Sequence, residues 1–111
     1  MFIVRAKFKI DPRKYDYFFG RVGGNNAERS RQIARVLDRI GIQDTPDGRS
    51  KLEELFEKGI ECREVARIEN EFGITISRSV YVSGVRLDIG YFYEDGDMEN
   101  LPKITTIIPK E

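Results

Sequence analysis

The chain has 111 residues, with 19 Lys and Arg balanced by 19 Asp and Glu, 40% apolar and 34% charged residues, one cysteine and no histidine. This suits one globular domain, residues 1–111, with a modest core, and it excludes an internal disulfide, His-based metal sites, Ser-His and Cys-His dyads and any imidazole base. Proton transfer is left to Asp, Glu, Lys, Tyr or water. Apolar runs are too short for a membrane span and the basic residues in the first ten positions argue against a secretory signal, so a cytoplasmic chain with no membrane association is expected.

The charge is unevenly spread: residues 1–49 hold 11 Lys and Arg against 6 Asp and Glu, and residues 50–111 hold 8 against 13. A basic N-terminal half suits a phosphate-rich partner, and it equally suits neutralisation by the acidic half within the fold.

Val4, Ala6, Phe8 and Ile10 alternate with Arg5, Lys7 and Lys9, the pattern of a half-buried N-terminal strand whose wet face carries cations. Such a face guards a sheet edge or tracks a nucleic-acid backbone. Asp11-Pro12 ends it, and Tyr15, Phe18 and Phe19 then fall at helical spacing, suited to plugging one end of the core; with Arg13, Lys14 and Arg21 interleaved, the same aromatics suit base stacking.

Gly20, Gly23 and Gly24 hinge a loop into a helix expected to open at Asn25 or Asn26, with an Asn side chain as cap. Ile33, Val36, Leu37 and Ile40 form its apolar stripe. Extended backwards, the stripe reaches Arg29 and Ser30, which places Arg29 on the core side. A cation there is disfavoured by the helix dipole by roughly 0.3–1 kcal/mol, so a compensating anion is expected. An internal carboxylate meets the need, as does a phosphate held jointly by Arg29, Ser30 and the helix N–H groups.

Gly41 closes that helix, and Thr45-Pro46-Asp47 opens a second with Leu52, Leu55 and Phe56 facing inward. Cys62 reads as a small core or boundary residue. From Arg63 the period becomes two: an irregular strand to Gly73, a second over Ile74–Val82, a third over Val85–Tyr93, and a last through Ile104–Ile108. The acidic turn Glu94-Asp95-Gly96-Asp97 lacks the ligand spacing of a calcium loop. The order predicts an α+β fold: an N-terminal strand and two helices packed on one face of a four- to five-stranded, mainly antiparallel twisted sheet.

Gly20-Arg21-Val22, the glycine spacer, Asn25-Asn26, Arg29-Ser30, Gln32, Ile40-Gly41-Ile42, Ser79 and Thr105-Thr106-Ile107-Ile108-Pro109 resemble, in order and spacing, the C-terminal toxin domains of bacterial polymorphic toxins. These are the Rhs and contact-dependent-inhibition types, in the barnase, EndoU and colicin class of small ribonucleases. The resemblance implies RNA cleavage, with tRNA as a candidate substrate, without metal or cofactor, and a cognate immunity protein as partner. It also implies a site with Asn25, Arg29, Ser30 and Thr105 as catalytic residues and Arg21, Asn26, Gln32, Ser79 and Thr106 as substrate-binding residues.

One departure bears on activity. Where such domains carry His, this chain carries Asn25, which hydrogen-bonds but does not shuttle a proton near neutral pH. General acid–base help is worth about 10²–10⁴-fold. Three readings stay open: a disabled site, a paralogue that binds RNA without cutting, or a different proton carrier such as Tyr15, Tyr17 or Lys103. A third class of function, an immunity or adaptor protein working through the acidic half, is also compatible with the residues.

Overall fold

The computed structural model describes residues 1–110. In chain order the elements are β1 (Ile3–Val4), β2 (Lys9–Ile10), α1 (Lys14–Phe18), a 3₁₀ turn over Gly24–Asn26, α2 (Ala27–Arg39), α3 (Pro46–Gly59), β3 (Arg63–Asn70), β4 (Gly73–Val82), β5 (Val85–Glu94) and β6 (Lys103–Lys110). The strands form one sheet in the order β1-β2-β6-β5-β4-β3, antiparallel except for β2 beside β6. No helix is long and apolar enough to cross a membrane. The fold is α+β as expected, with a third helix and more strands than the sequence pattern alone resolves.

The alternation of the last three strands sets the layers. Ile76, Val80, Leu87, Ile89, Tyr91, Ile104 and Ile107 are buried on one face, against Ile33, Val36 and Leu37 of α2 and Leu52 and Phe56 of α3. Phe8 and Phe18 close one end around Phe56, with ring centroids 5.6 and 6.0 Å from it. Residues opposite in register share the other face, so Thr75, Ser77, Ser79, Tyr81, Arg86, Asp88, Gly90, Phe92, Lys103 and Thr106 lie on the side without α2 and α3.

The first ten residues differ from the expected single strand. They turn back on themselves, with the Arg5 N–H donating to Phe8 O (2.8 Å) and Ile3 opposite Ile10, so Phe8 and Ile10 are buried while Val4 is 61% exposed. The cations go separate ways: Arg5 pairs with Glu53 of α3 (2.6 Å) and Lys7 with Glu61 just beyond it (3.8 Å). Those contacts neutralise part of the charge asymmetry inside the fold.

Thr45 caps α3 as its sequence predicts, accepting from the Gly48 N–H at 3.0 Å. The predicted Asn cap of α2 does not form. Asn26 occupies the N-cap position with no side-chain cap hydrogen bond, because the 3₁₀ turn supplies backbone bonding there instead. Ser83-Gly84 and Asp95-Gly96 take positive φ in the turns after β4 and β5, as tight turns demand.

At the C-terminal end of α3 the Tyr91 hydroxyl donates to Phe56 O at 2.6 Å, satisfying a carbonyl of the last turn in a fully buried setting. The close approach needs glycine: a Cβ on Gly59 would lie 2.2 Å from the Tyr91 oxygen. Tyr91→Phe removes the donor and strands the carbonyl, so it should lower unfolding free energy by about 1–3 kcal/mol in chemical denaturation while leaving the fold intact.

Candidate functional site

Beside the sheet, where α1 and the glycine loop meet β6, lies a cleft of about 540 Å³ lined by Asp11, Arg13, Lys14, Tyr17, Val22, Asn26, Thr105 and Thr106. Three segments distant in sequence build it. β2 runs parallel to β6 with Lys9 opposite Lys103, and the Lys9 N–H donates to Pro102 O (2.9 Å), which sets Asp11 and the start of α1 beside Thr105. The register between β5 and β6 shifts by one residue between Gly90 and Tyr91, leaving Thr105 as the extra residue of a bulge, where its hydroxyl donates to Gly90 O at 3.1 Å. A Cβ on Gly90 would meet that hydroxyl at 2.6 Å, so glycine permits the bulge to close.

The third wall is the loop into α2. Ser30 is fully buried and its hydroxyl donates to Tyr17 O (2.6 Å), tying α2 to α1. Arg21 pairs with Asp16 (2.9 Å) and with Asp44, whose carboxylate also holds Arg49 (2.7 Å). These contacts, Arg49 first, hold the Asp44 carboxyl below its usual range. Arg49 in turn covers the Tyr15 ring at 4.4 Å, and the Tyr15 hydroxyl donates to Glu53 (2.9 Å). Burial, aided by that carboxylate, raises the Tyr15 hydroxyl's pKa well above its ordinary value.

The predicted site residues are therefore only partly assembled. Asn26, Thr105 and Thr106 share the cleft with Tyr17. Asn25 sits in the same 3₁₀ turn as Asn26 but is exposed and does not line it. The placement of Arg29 on the core side is corrected: Arg29 is exposed, and Ser30 takes the inward position three residues before Ile33. Among the described residues Arg29 has no hydrogen-bond or ion-pair partner, so of the two anions that would meet its need the internal carboxylate is not there. Arg21 and Ser30 are engaged as struts. Gln32 faces a separate hollow with Glu28, Arg35 and Arg39. Ser79 is nearly buried on β4, opposite Asp88 and two strands from β6, and its hydroxyl has no hydrogen-bond partner among the described residues.

Sequence reasoning set Arg13 and Lys14 among aromatics suited to base stacking but did not place them, or Asp11, beside β6. Arg13 forks onto the Asp11 carboxylate (2.6 and 3.0 Å), and Lys14 lies 5.8 Å from the centroid of the Tyr17 ring. Their proximity to a Pro12-initiated turn was the available signal; their position opposite β6 was not. Among the described residues the Tyr17 hydroxyl, the Asn26 amide and the Thr106 hydroxyl make no side-chain hydrogen bond, so the cleft presents polar heads open to a ligand beside Lys14 and the Arg13–Asp11 pair. An anionic, hydrogen-bonding ligand fits that lining.

Neither a family model nor a curated protein sequence matches the chain. In structure it is similar to a chain of a contact-dependent growth inhibition toxin–immunity protein complex from Klebsiella pneumoniae 342, with a TM-score of 0.76 and 23% identity over 91% of this chain and 98% of that one. At that identity the likeness is one of fold.

The Arg13 side chain, with its backbone N–H, holds the Asp11 carboxyl at about 2, below its ordinary 3.8. The preference for the charged form therefore favours the folded state above the ordinary carboxylate value and is lost as pH falls through about 2. Arg13→Ala should move the Asp11 titration up toward 3.8 without reaching it, because the backbone donor stays; carbon-detected NMR of the carboxyl reads this directly.

Proposed function

We propose that the chain is a toxin-type ribonuclease domain that cleaves RNA in the cleft between α1, the glycine loop and β6. The observation that carries this reading is the convergence of Tyr17, Asn26, Thr105 and Thr106 with Arg13 and Lys14 around one open volume. The fold it shares with the Klebsiella toxin–immunity complex supports a toxin-related role.

RNA cleavage without metal uses the 2′-hydroxyl to attack the adjacent phosphorus, expelling the 5′-oxygen of the next nucleotide. It needs a group to take the first proton, one to protonate the leaving oxygen, and cations for the charge that builds on phosphate. Lys14 is placed to hold the phosphate, with Arg13 paired to Asp11 beside it, and Asn26 and Thr106 to hydrogen-bond its oxygens or the sugar. Of the three proton carriers open from sequence, Tyr15 is committed to Glu53 and Lys103 to Glu94 (2.6 Å), whereas Tyr17 lines the cleft. Tyr17 is the group we assign to protonate the leaving 5′-oxygen, with water taking the 2′-hydroxyl proton and later restoring the phenol. Arg29, exposed and without a partner among the described residues, lies one turn on from Asn26 and outside the cleft's lining. We further propose a cognate immunity protein as partner, as in the neighbouring complex.

Incubation of the purified chain with total tRNA should give discrete cuts. Tyr17→Phe should slow cleavage by about 10²-fold or more with little effect on RNA affinity. Lys14→Ala should weaken binding at all sequences and reduce its salt dependence. If Asn25→His cuts where the unaltered chain does not, the site is a nuclease centre lacking its proton carrier. If no form binds RNA at low salt, the ribonuclease reading is wrong.

A further inference from the structure

We infer that the open face of the sheet next to the cleft is a stacking platform for single-stranded RNA leading out of it; this rests on the ribonuclease reading. One row of residues crosses all six strands on that face, fixed by register: Val4 opposite Lys9, Lys9 opposite Lys103, Lys103 opposite Phe92, Phe92 opposite Thr75, and Thr75 opposite Ile68. Phe2, two residues before Val4, joins it: the Lys103 ammonium lies 5.0 Å from the Phe2 ring centroid and 6.0 Å from that of Phe92, and Lys9 lies 5.9 Å from Phe2.

Apolar residues this open need an explanation. Phe2 is 41% and Ile68 65% exposed, in the same row as Val4. Scattered surface side chains are ordinary, but at this row's centre two rings, Phe2 and Phe92, lie beside two ammonium groups, Lys9 and Lys103, the combination that binds nucleic-acid strands without reading sequence. The row is also continuous with the cleft. On β5 the next position on this face after Phe92 is Gly90, opposite Thr106; on β2 the residue two beyond Lys9 is Asp11; and both Thr106 and Asp11 line the cleft. Two residues of strand cover about 6.7 Å, so a strand leaving the cleft meets Lys103 and Phe92 within about one nucleotide.

The charges favour RNA over an acidic peptide only in part, since Lys103 already holds Glu94; Lys9, over the Phe2 ring, is the cation that a phosphate would meet without displacing a carboxylate. Bases on Phe2 and Phe92 with the backbone along Lys9 is the arrangement that engages both rings and leaves the Lys103–Glu94 pair in place.

The test compares anisotropy-detected binding of a trinucleotide and a nonanucleotide, both 2′-O-methylated so that cleavage is blocked, to the full chain and to Phe2→Ala and Lys9→Gln. Phe2 and Lys9 are not core residues, and unchanged thermal melts confirm the fold. Each variant should weaken the nonanucleotide by roughly five-fold or more and leave the trinucleotide within about two-fold, while Lys14→Ala weakens both. Equal affinity of both variants and the unaltered chain for the nonanucleotide overturns the platform and leaves the cleft standing, with the row then free for a protein partner. Failure of the unaltered chain to bind either oligonucleotide overturns the ribonuclease reading as well.

Discussion

The single parallel pairing in the sheet, β2 against β6, is the contact on which the rest depends. β2 is only two residues long, and its one register pair joins Lys9 to Lys103. Without it, the Asp11-Pro12 turn and α1 would have no fixed position relative to Thr105 and Thr106, and there would be no cleft. So short a pairing does not hold by ladder hydrogen bonds alone. Side chains on and around β2 anchor it: Phe8 and Ile10 are inserted into the core, Phe8 edge-on to Phe56, and Tyr15 and Phe18 are buried one helical turn apart. Burying large aromatic and aliphatic side chains stabilises by roughly 1.5–3 kcal/mol each, ample to pin two residues of strand.

A second feature is the division of polar side chains between those committed to holding α1, the loop and α3 together and those left open. Arg21, Asp44, Arg49, Tyr15, Glu53 and Arg5 form a connected belt of ion pairs, hydrogen bonds and one cation–ring contact. Individually such half-exposed pairs are worth little; as a network they orient the loop. The Tyr17, Asn26 and Thr106 heads in the cleft, without a side-chain hydrogen bond among the described residues, are the counterpart. Binding sites are built from groups that the fold leaves unsatisfied where water reaches them.

The sheet itself separates structure from chemistry. One face is apolar and covered by α2 and α3. The other carries Ser, Thr, Gly and Arg near the cleft and rings with ammonium groups toward Phe2. The Asp88 carboxylate, although on that open face, is nearly buried beneath the Arg86 fork (2.9 and 3.1 Å).

The fold class, the long strands, the inward faces of α2 and α3, and the Thr45 cap were legible in the sequence, because each arises from periodicity or a local hydrogen bond within a few residues. The phase of α2 near its start was not: Arg29 and Ser30 both continue the stripe within its tolerance, and the carbonyl of Tyr17, thirteen residues upstream, decides that Ser30 goes in. Nor was the N-terminal hairpin, where Phe8 and Ile10 enter the core while Arg5 and Lys7 pair with Glu53 and Glu61. Asn26, Thr105 and Thr106 of the motif line one cleft, and Arg13 and Lys14 join them there with no sequence signal beyond the Pro12 turn and the aromatics beside them. Their meeting with β6 is a non-local pairing between the two ends of the chain. Only the packed sheet decides which distant residues face one another, since register is set by the sum of core contacts and no segment encodes its partner.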